Sequence, residues 1–553
     1  MTEVLIDIET DSLDATKIHC IVAKETQTGK YHVWTEEDCY KKFPSDCKHF
    51  SRYVGHNSVS FDIPVLNRLT GSNIQLNQLE DTLILSQLLD PVREGGHSLG
   101  AWGNTFKYNK IDFHDYSNFS EEMLTYCKRD VDLTGRLYIH LKMECQKAKM
   151  SRRSIDLEYR IRALISKQER NGFTLDLQKA MSLVCMLRDK ATQIEDDLQE
   201  RYPPIVEERY SDKTGKRLKD KIVIFNPASR QQIAQRLMEQ GWQPKKKTEK
   251  GHPIVDESVL KDVDIPEAKV ISEYLLLQKR VSQVQSWIDA AQEDGKVHGK
   301  VLTLRAISGR MAHNSPNMAQ VPAGYSPYGK ECRECWTVSK PDNVLVGCDA
   351  SSLELRALAH YLDDPNFTKE VVEGDIHTAN QKAAGLETRD QAKTFIYAFI
   401  YGAGAAKIGS IVGGTSTDGQ RLIDTFLSNV PALATFRQKV DKTSRLGYIR
   451  GLDGRRLKVR NQHAAVNLII QGAGAVICKQ WLVDITLLYN KLKLKADLVA
   501  SIHDEYQFEV FKPHALAFGS ITKKAMKETE RKLLIKCPLD SEYKIGNNWS
   551  ETH

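Results

Sequence analysis

Along the first 143 residues, short apolar-rich runs (VLIDIET, HCIVAKET, KYHVWT) alternate with helical stretches. That alternation predicts an α/β unit. A lysine-rich seam at residues 146–153 gives way to a different rhythm, in which residues 154–200 and 266–290 set charges among Leu, Ile and Val at three- and four-residue steps. This spacing predicts long amphipathic helices. Between them PPIVEERYSDKTGKRLKDK and PKKKTEKG are polar and basic, and are expected to be loops on an elongated helical arm, with lysines suited to phosphate contact or simply to solvent. From Val301 onward the pattern is mixed, with strands expected at residues 344–348 and 498–502 and helices between them. No apolar run approaches the roughly 18 residues of a membrane span.

Composition narrows the field only a little. At 553 residues the chain is too long for one core, and about 100 to 200 residues per domain gives three to five units. A hydrophobic share of 41% and a net charge of +6 exclude neither nucleic acid nor an acidic partner, because binding depends on where the cations cluster. The start, MTEVLIDIET, lacks the basic and apolar regions of a secretory leader, so the expected compartment is the cytoplasm. Eleven cysteines show no disulfide framework, and the Cys332–Cys335 pair has no second pair to complete a zinc site. They are read as reduced thiols.

Candidate chemistry lies in two sets of acids. In VLIDIET, Asp7 and Glu9 are two apart on a strand and share a face. Asp62 closes GHNSVSFD, and YCKRD puts Tyr126 and Asp130 four apart on a helical face. Four carboxylates from three segments are what two divalent ions need to hold an attacking water and a leaving oxygen, with the tyrosine placed to orient that water. Asp7 and Glu9 alone would be a weak signal, since acids near strand ends are commonly just solvated. Asp81 reads as structural or supporting, and a loop hydrogen bond is the simpler role for His56.

The second set joins Asp349, which follows the strand VLVGC, to Asp504 in LVASIHDEYQFEV, where two β-rich runs flank a tight turn. Ser351 and Glu354 have capping-box spacing, as do Thr388 and Gln391. From the latter cap, Arg389, Lys393, Tyr397 and Tyr401 follow at four-residue steps, each advancing about 40° round a helix. The cations sit at the positive end of the helix dipole, suited to a triphosphate, and the tyrosines lie further along. A stripe carrying both residue types is hard to explain as packing alone.

The ordered strings SGRMAHNSPNMAQVP, DASSLELR, GDIHT, RDQAKTFIYAFIYG, HAAVNLIIQGAGA and HDE resemble the family A DNA polymerases, in particular the replicative enzymes of short-tailed bacteriophages. The N-terminal acids resemble the motifs of DEDD 3'-5' exonucleases. The resemblance implies an α/β multidomain fold: an RNase H-like exonuclease over residues 1–145, then a right hand. Its thumb would span 150–300, its palm 301–360 and 467–553, and its fingers 361–466. It further implies proofreading DNA synthesis by two-metal catalysis, with Mg2+, replaceable by Mn2+, held by Asp349, the Ala350 carbonyl and Asp504, and in the exonuclease by Asp7, Glu9, Asp62 and Asp130. Glu505 would be a less essential catalytic acid. His377, Arg389 and Lys393 would hold the triphosphate, with Lys393 also neutralising the leaving group. Tyr397 would lie near the sugar, Tyr401 by the templating base, and Glu354 where a ribose 2'-hydroxyl would otherwise fit. Arg310, Asn467, Gln471 and His503 would touch primer or template. The expected partners are primer-template DNA, dNTPs, a helicase-primase and a single-strand-binding protein, in the host cytoplasm if the chain is phage-encoded. Phage relatives clamp thioredoxin through a long insertion before the FNP segment. Here residues 203–224 are short and basic, so thioredoxin is not expected to be a partner. Two other classes remain: a binding protein with decayed sites, which predicts lost acids, and a nuclease whose C-terminal half only binds DNA, which leaves the cation and tyrosine stripe unexplained.

Overall fold

A computed structural model describes residues 2–553. The N-terminal region centres on a five-stranded sheet of Thr2–Thr10, Ile18–Glu25, Tyr31–Thr35, Phe50–Gly55 and Leu79–Asp81. In space the order is third, second, first, fourth, fifth. The first three strands are antiparallel neighbours, whereas the fourth runs parallel to the first and the fifth parallel to the fourth. Parallel pairs need crossovers, and the helix Asp62–Thr70 lies in the connection between the fourth and fifth strands. The central strand therefore buries Val4, Leu5, Ile6 and Ile8 on both its faces, packed with Val131, Leu133 and Leu137 from the helix Glu121–Lys147.

The periodic run at residues 154–200 is two helices, not one. Gly172, at φ 65, ends the helix Arg152–Asn171, and a short strand Phe173–Leu175 intervenes before Leu177–Arg201. Asp176 restarts the helix by accepting from the Lys179 amide at 2.9 Å. The first helix serves two cores: Ile155 and Tyr159 pack into the N-terminal cluster, while Leu157, Ile161 and Ile165 pack beneath the C-terminal sheet. Helices Leu177–Arg201 and Pro266–Ala290 pair through residues such as Val184, Leu187, Leu277 and Val284 to form the expected arm. Its tip corrects the sequence reading. Residues 203–224 are mostly a β-hairpin, Ile205–Tyr210 paired with Arg217–Val223, because the cross-strand pairs Val206–Ile222 and Glu207–Lys221 match in kind.

The C-terminal half is built on an antiparallel sheet in the order Ala496–Ile502, Glu505–Phe511, Asn343–Ala350, Ser541–Gly546. Helices Ala465–Lys491 and Ala515–Leu533 pack against it through Trp481, Phe508 and Phe518. Contrary to the sequence reading, one segment, Gln462–Lys491, is long and apolar enough to cross a membrane; 89% of its most apolar window is buried inside this fold, as befits a core helix. A second cluster gathers Phe395, Phe399, Phe426, Leu468 and Ile470 around the helix Arg389–Ile400.

The two halves are tied by a buried ionic knot. Lys479 donates to both Glu158 oxygens at 2.8 Å and to the Thr303 carbonyl. Arg455 bridges Glu158 and Asp453 at 2.7 Å each. Every side chain is at most 2% exposed, and the four formal charges cancel. Such a knot resists loss of one partner far more than it adds net stability.

Candidate active sites

Asp7 and Glu9 project from the central strand, and Glu9, Asp62 and Asp130 are buried. Tyr126 and Asp130 both lie on the buried face of Glu121–Lys147. Burial, then mutual repulsion, raises the pKa of Asp7. Burial likewise pushes Glu9 up to about 9 and Asp62 up to about 7. Asp130 is raised by burial too, although Lys110 beside it pulls the other way. The structure thus gathers the predicted acids close enough for burial and mutual repulsion to raise their pKa values. Two neighbours escaped the sequence reading. The Cys127 thiol donates to Asp7 Oδ2 at 3.5 Å, and Lys110 Nζ lies 2.5 Å from Asp130 Oδ2. Cys127 follows Tyr126 in the YCKRD motif, so its position was signalled; Lys110 sits in a stretch without periodicity.

Asp81 accepts amide protons from Asn57, Val59, Leu83 and Ile84, making it the cap that pins the turn before Asp62. His56 bonds Thr82 at 2.9 Å. Both are thus engaged in local structure.

In the C-terminal sheet Asp349 stands directly opposite Glu505 on one side and Glu542 on the other. Asp504 sits in the two-residue turn beyond Ile502, next to His503 at φ 55. The Ala350 amide donates to the Asp504 carbonyl at 3.1 Å, which clamps the turn to the strand end. Asp349 opens to the cleft, yet its surroundings, and then Asp504 and Glu505, lift its pKa to about 7. Asp504 is raised as well, first by burial. Glu505 differs. Its carboxylate is caged by Trp549 Nε1, Gln507 Nε2 and His553 Nδ1, each at 2.6 Å. Burial alone would raise its pKa, but these partners hold it below the ordinary value.

Opposite this acidic floor lies the helix Arg389–Ile400. Its predicted capping box forms in full: the Gln391 amide donates to Thr388 Oγ1 at 3.2 Å, and the Thr388 amide to Gln391 Oε1 at 3.0 Å. Phe395, Ile396, Phe399 and Ile400 bury the other face. The stripe at 389, 393, 397 and 401 is therefore left exposed or half-buried, with Tyr401 bonded to Glu354 and Tyr397 close to Asp504. Tyr397 and Tyr401 rings are 6.3 Å apart, and His377 lies 6.2 Å from Tyr397. Asp375, unassigned from sequence, caps the helix that carries His377 and holds Arg389 Nε at 2.6 Å.

The Ser351–Glu354 capping box does not form. Ser352 adopts φ 49 at the cap position with no side-chain bond, and the Ser351 amide donates instead to the Asp540 carbonyl. Glu354 is freed to accept Arg310 Nη2 at 2.7 Å and Tyr401 Oη at 2.9 Å. Arg310, His503 and Asp504 line one recess with Gly474 and Cys478. Asn467 and Gln471 stand one turn apart on Ala465–Lys491, and Asn467 Oδ1 is buried without a partner.

The architecture that carries these residues is an α/β polymerase fold. A family model described as DNA polymerase family A matches residues 188–551, and the chain belongs to that family. It is 33% identical to the DNA-directed DNA polymerase of Enterobacteria phage T3, covering 99% of each chain, and 32% identical to that of Escherichia phage T7, covering 100% of each. Both alignments run longer than this chain's 553 residues, so the relatives carry segments that it lacks. Among solved structures, the POL domain of Pol1 from M. smegmatis, in complex with DNA primer-template and dNTP, superposes over 100% of this chain with a TM-score of 0.81 at 17% identity.

Proposed function

We propose that the chain copies DNA at the Asp349–Asp504 site and removes mispaired 3' ends at the Asp7, Glu9, Asp62 and Asp130 site. The observation that supports this most directly is the convergence of Asp349, at a strand end, and Asp504, at a hairpin tip, on the cleft that the Arg389–Tyr401 stripe faces. In this reading the palm comprises residues 301–360 and 467–553, the fingers 361–466, the thumb the arm at 150–300, and residues 1–145 an RNase H-like exonuclease.

Both acid sets are oxygen donors of the kind hard divalent ions take, and their raised pKa values mark sites short of positive charge. Mg2+, or Mn2+ in its place, would be held by Asp349, Asp504 and the Ala350 carbonyl, and by Asp7, Glu9, Asp62 and Asp130, supplying an acidified nucleophile and a stabilised leaving oxygen. Arg389, Lys393 and His377 bind the triphosphate from the helix's positive end. Asp375 releases Arg389 to it. Lys393 carries a proton within reach of the departing pyrophosphate. Glu354, anchored by Arg310 and Tyr401, narrows the space beside the sugar C2'. Glu505, with both oxygens occupied, steadies the sheet beneath Asp349. Arg310, Asn467, Gln471 and His503 meet the primer-template end, and the Tyr126 hydroxyl orients water in the second site. The cytoplasm, dNTPs, and helicase-primase and single-strand-binding partners follow from this reading.

The test is primer-template incubated with Mg2+, with and without dNTPs. Asp349→Ala abolishes extension and spares degradation, and Asp7→Ala does the reverse. Joint loss in either variant, with the fold intact by circular dichroism, defeats the reading of two separate sites.

A further inference from the structure

Lys110 is the cation that the N-terminal acids have when no ion is bound. It lies between the helices Leu99–Phe106 and Glu121–Lys147, in a segment without regular structure. Its ammonium contacts Asp130 Oδ2 at 2.5 Å, rides 4.8 Å above the Tyr126 ring, and lies close enough to feel Asp7 and Glu9. The lysine side chain is 31% exposed while that of Asp130 is 5% exposed, so a flexible stem delivers charge from the surface into the pocket. Asp130 Oδ1 is buried without a hydrogen bond of normal geometry, and the Tyr126 hydroxyl lies close to the same carboxylate. One carboxylate oxygen is thus engaged by Lys110, and the other is buried.

Four carboxylates facing one ammonium leave an excess of negative charge. Divalent ions would offset that charge far better, but an ammonium at Asp130 Oδ2 occupies an oxygen they need and repels them at close range. We propose that Lys110 is a displaceable counter-ion of this cluster: it braces the acids in the ion-free protein and must leave Asp130 for divalent ions to enter. It is a positioning residue that sets the ion concentration at which degradation begins. This rests on reading the cluster as a divalent-ion site for strand-end hydrolysis.

The experiment uses the full chain carrying Asp349→Asn, which silences the other centre, and follows Mn2+ binding by electron paramagnetic resonance together with melting in EDTA. Adding Lys110→Met tightens Mn2+ binding at least about tenfold, since a competing charge is gone. It also lowers the melting temperature in EDTA and shifts the Mn2+ concentration for half-maximal single-strand degradation down in the same ratio. Lys110→Arg returns all three towards the parent. Unchanged or weaker Mn2+ binding in Lys110→Met overturns the proposal, the weaker case showing that Lys110 organises the acids for the ions. Primer extension by Lys110→Met alone, with Asp349 intact, reports folding, and Lys110→Gln replaces it if that variant fails to fold. If the parent itself neither binds Mn2+ nor loses binding on Asp7→Ala, the reading of the cluster falls first, before any Lys110 variant is made.

Discussion

On the proposed function, ion binding at the Asp349–Asp504 site releases a proton, and the amount follows from one carboxylate. Asp349 has a pKa near neutrality, about 7, through its surroundings and the facing Asp504 and Glu505. With that pKa it is about nine-tenths protonated at pH 6, half at pH 7 and about one-tenth at pH 8. Divalent ions held there would bind the carboxylate, so the proton would have to leave, and apparent affinity is expected to fall about tenfold from pH 8 to pH 6 on this account alone. The sign for stability is also fixed. The folded-state pKa lies above the unfolded value of 3.8, so the ion-free fold holds more protons in that window and loses stability as pH rises through it towards 7. Bound ions remove the penalty. The assay is calorimetric titration of Mg2+ into protein carrying Asp7→Ala and Glu9→Ala, in two buffers of different protonation enthalpy. The expected release is at least about half a proton at pH 7, dropping steeply by pH 8, with Asp504, also raised, adding to the count. A count that is flat from pH 6.5 to pH 8, or one unaltered by Asp349→Asn while Mg2+ still binds, refutes the reasoning.

Glu158→Gln leaves Lys479 and Arg455 buried against Asp453 alone and should cost about 3–5 kcal/mol in urea unfolding; adding Lys479→Met should recover part of the loss, as a double-mutant cycle would record. With Tyr397 beside the sugar as proposed, its hydroxyl would stand in for the hydrogen bond that a nucleotide lacking its 3' oxygen leaves unmade, so Tyr397→Phe should lower dideoxynucleotide use at least about tenfold in primer extension. Thioredoxin should leave extension lengths unchanged, because the arm's tip is a short exposed hairpin; a large gain in length would show a clamp at that tip.

What the sequence made legible was chemistry with a local period. The Thr388 cap and the stripe from Arg389 to Tyr401 lie within a few helical turns, and the DxE pair within one strand, so spacing alone placed them. The Ser351–Glu354 spacing looked the same and misled, because the partners that claim Glu354 are 44 and 47 residues away, at Arg310 and Tyr401. Lys110 was invisible for a related reason: its meaning comes from Asp130 across an aperiodic segment. The arm's hairpin was hidden by exposure on both faces, which erases the alternation that marks a half-buried strand. The long helix Ala465–Lys491 is apolar nearly all round because it is mostly buried in protein, and Gln471, Lys479 and Asp484 break the run into shorter apolar stretches.

The helix Arg152–Asn171 joins the N-terminal and C-terminal regions as shared structure, not as a tether. Ile155 and Tyr159 belong to one core and Leu157, Ile161 and Ile165 to the other, while the Tyr159 hydroxyl accepts the Asp81 amide and donates to Glu80. No cut before or after this helix yields two whole proteins. A C-terminal fragment starting at residue 150 would carry a raw apolar stripe into solvent, and an N-terminal fragment ending there would lose the tyrosine that pins its fifth strand. Substitutions in this one helix should therefore reach the N-terminal and C-terminal cores at once, so neither region can change its packing there without the other.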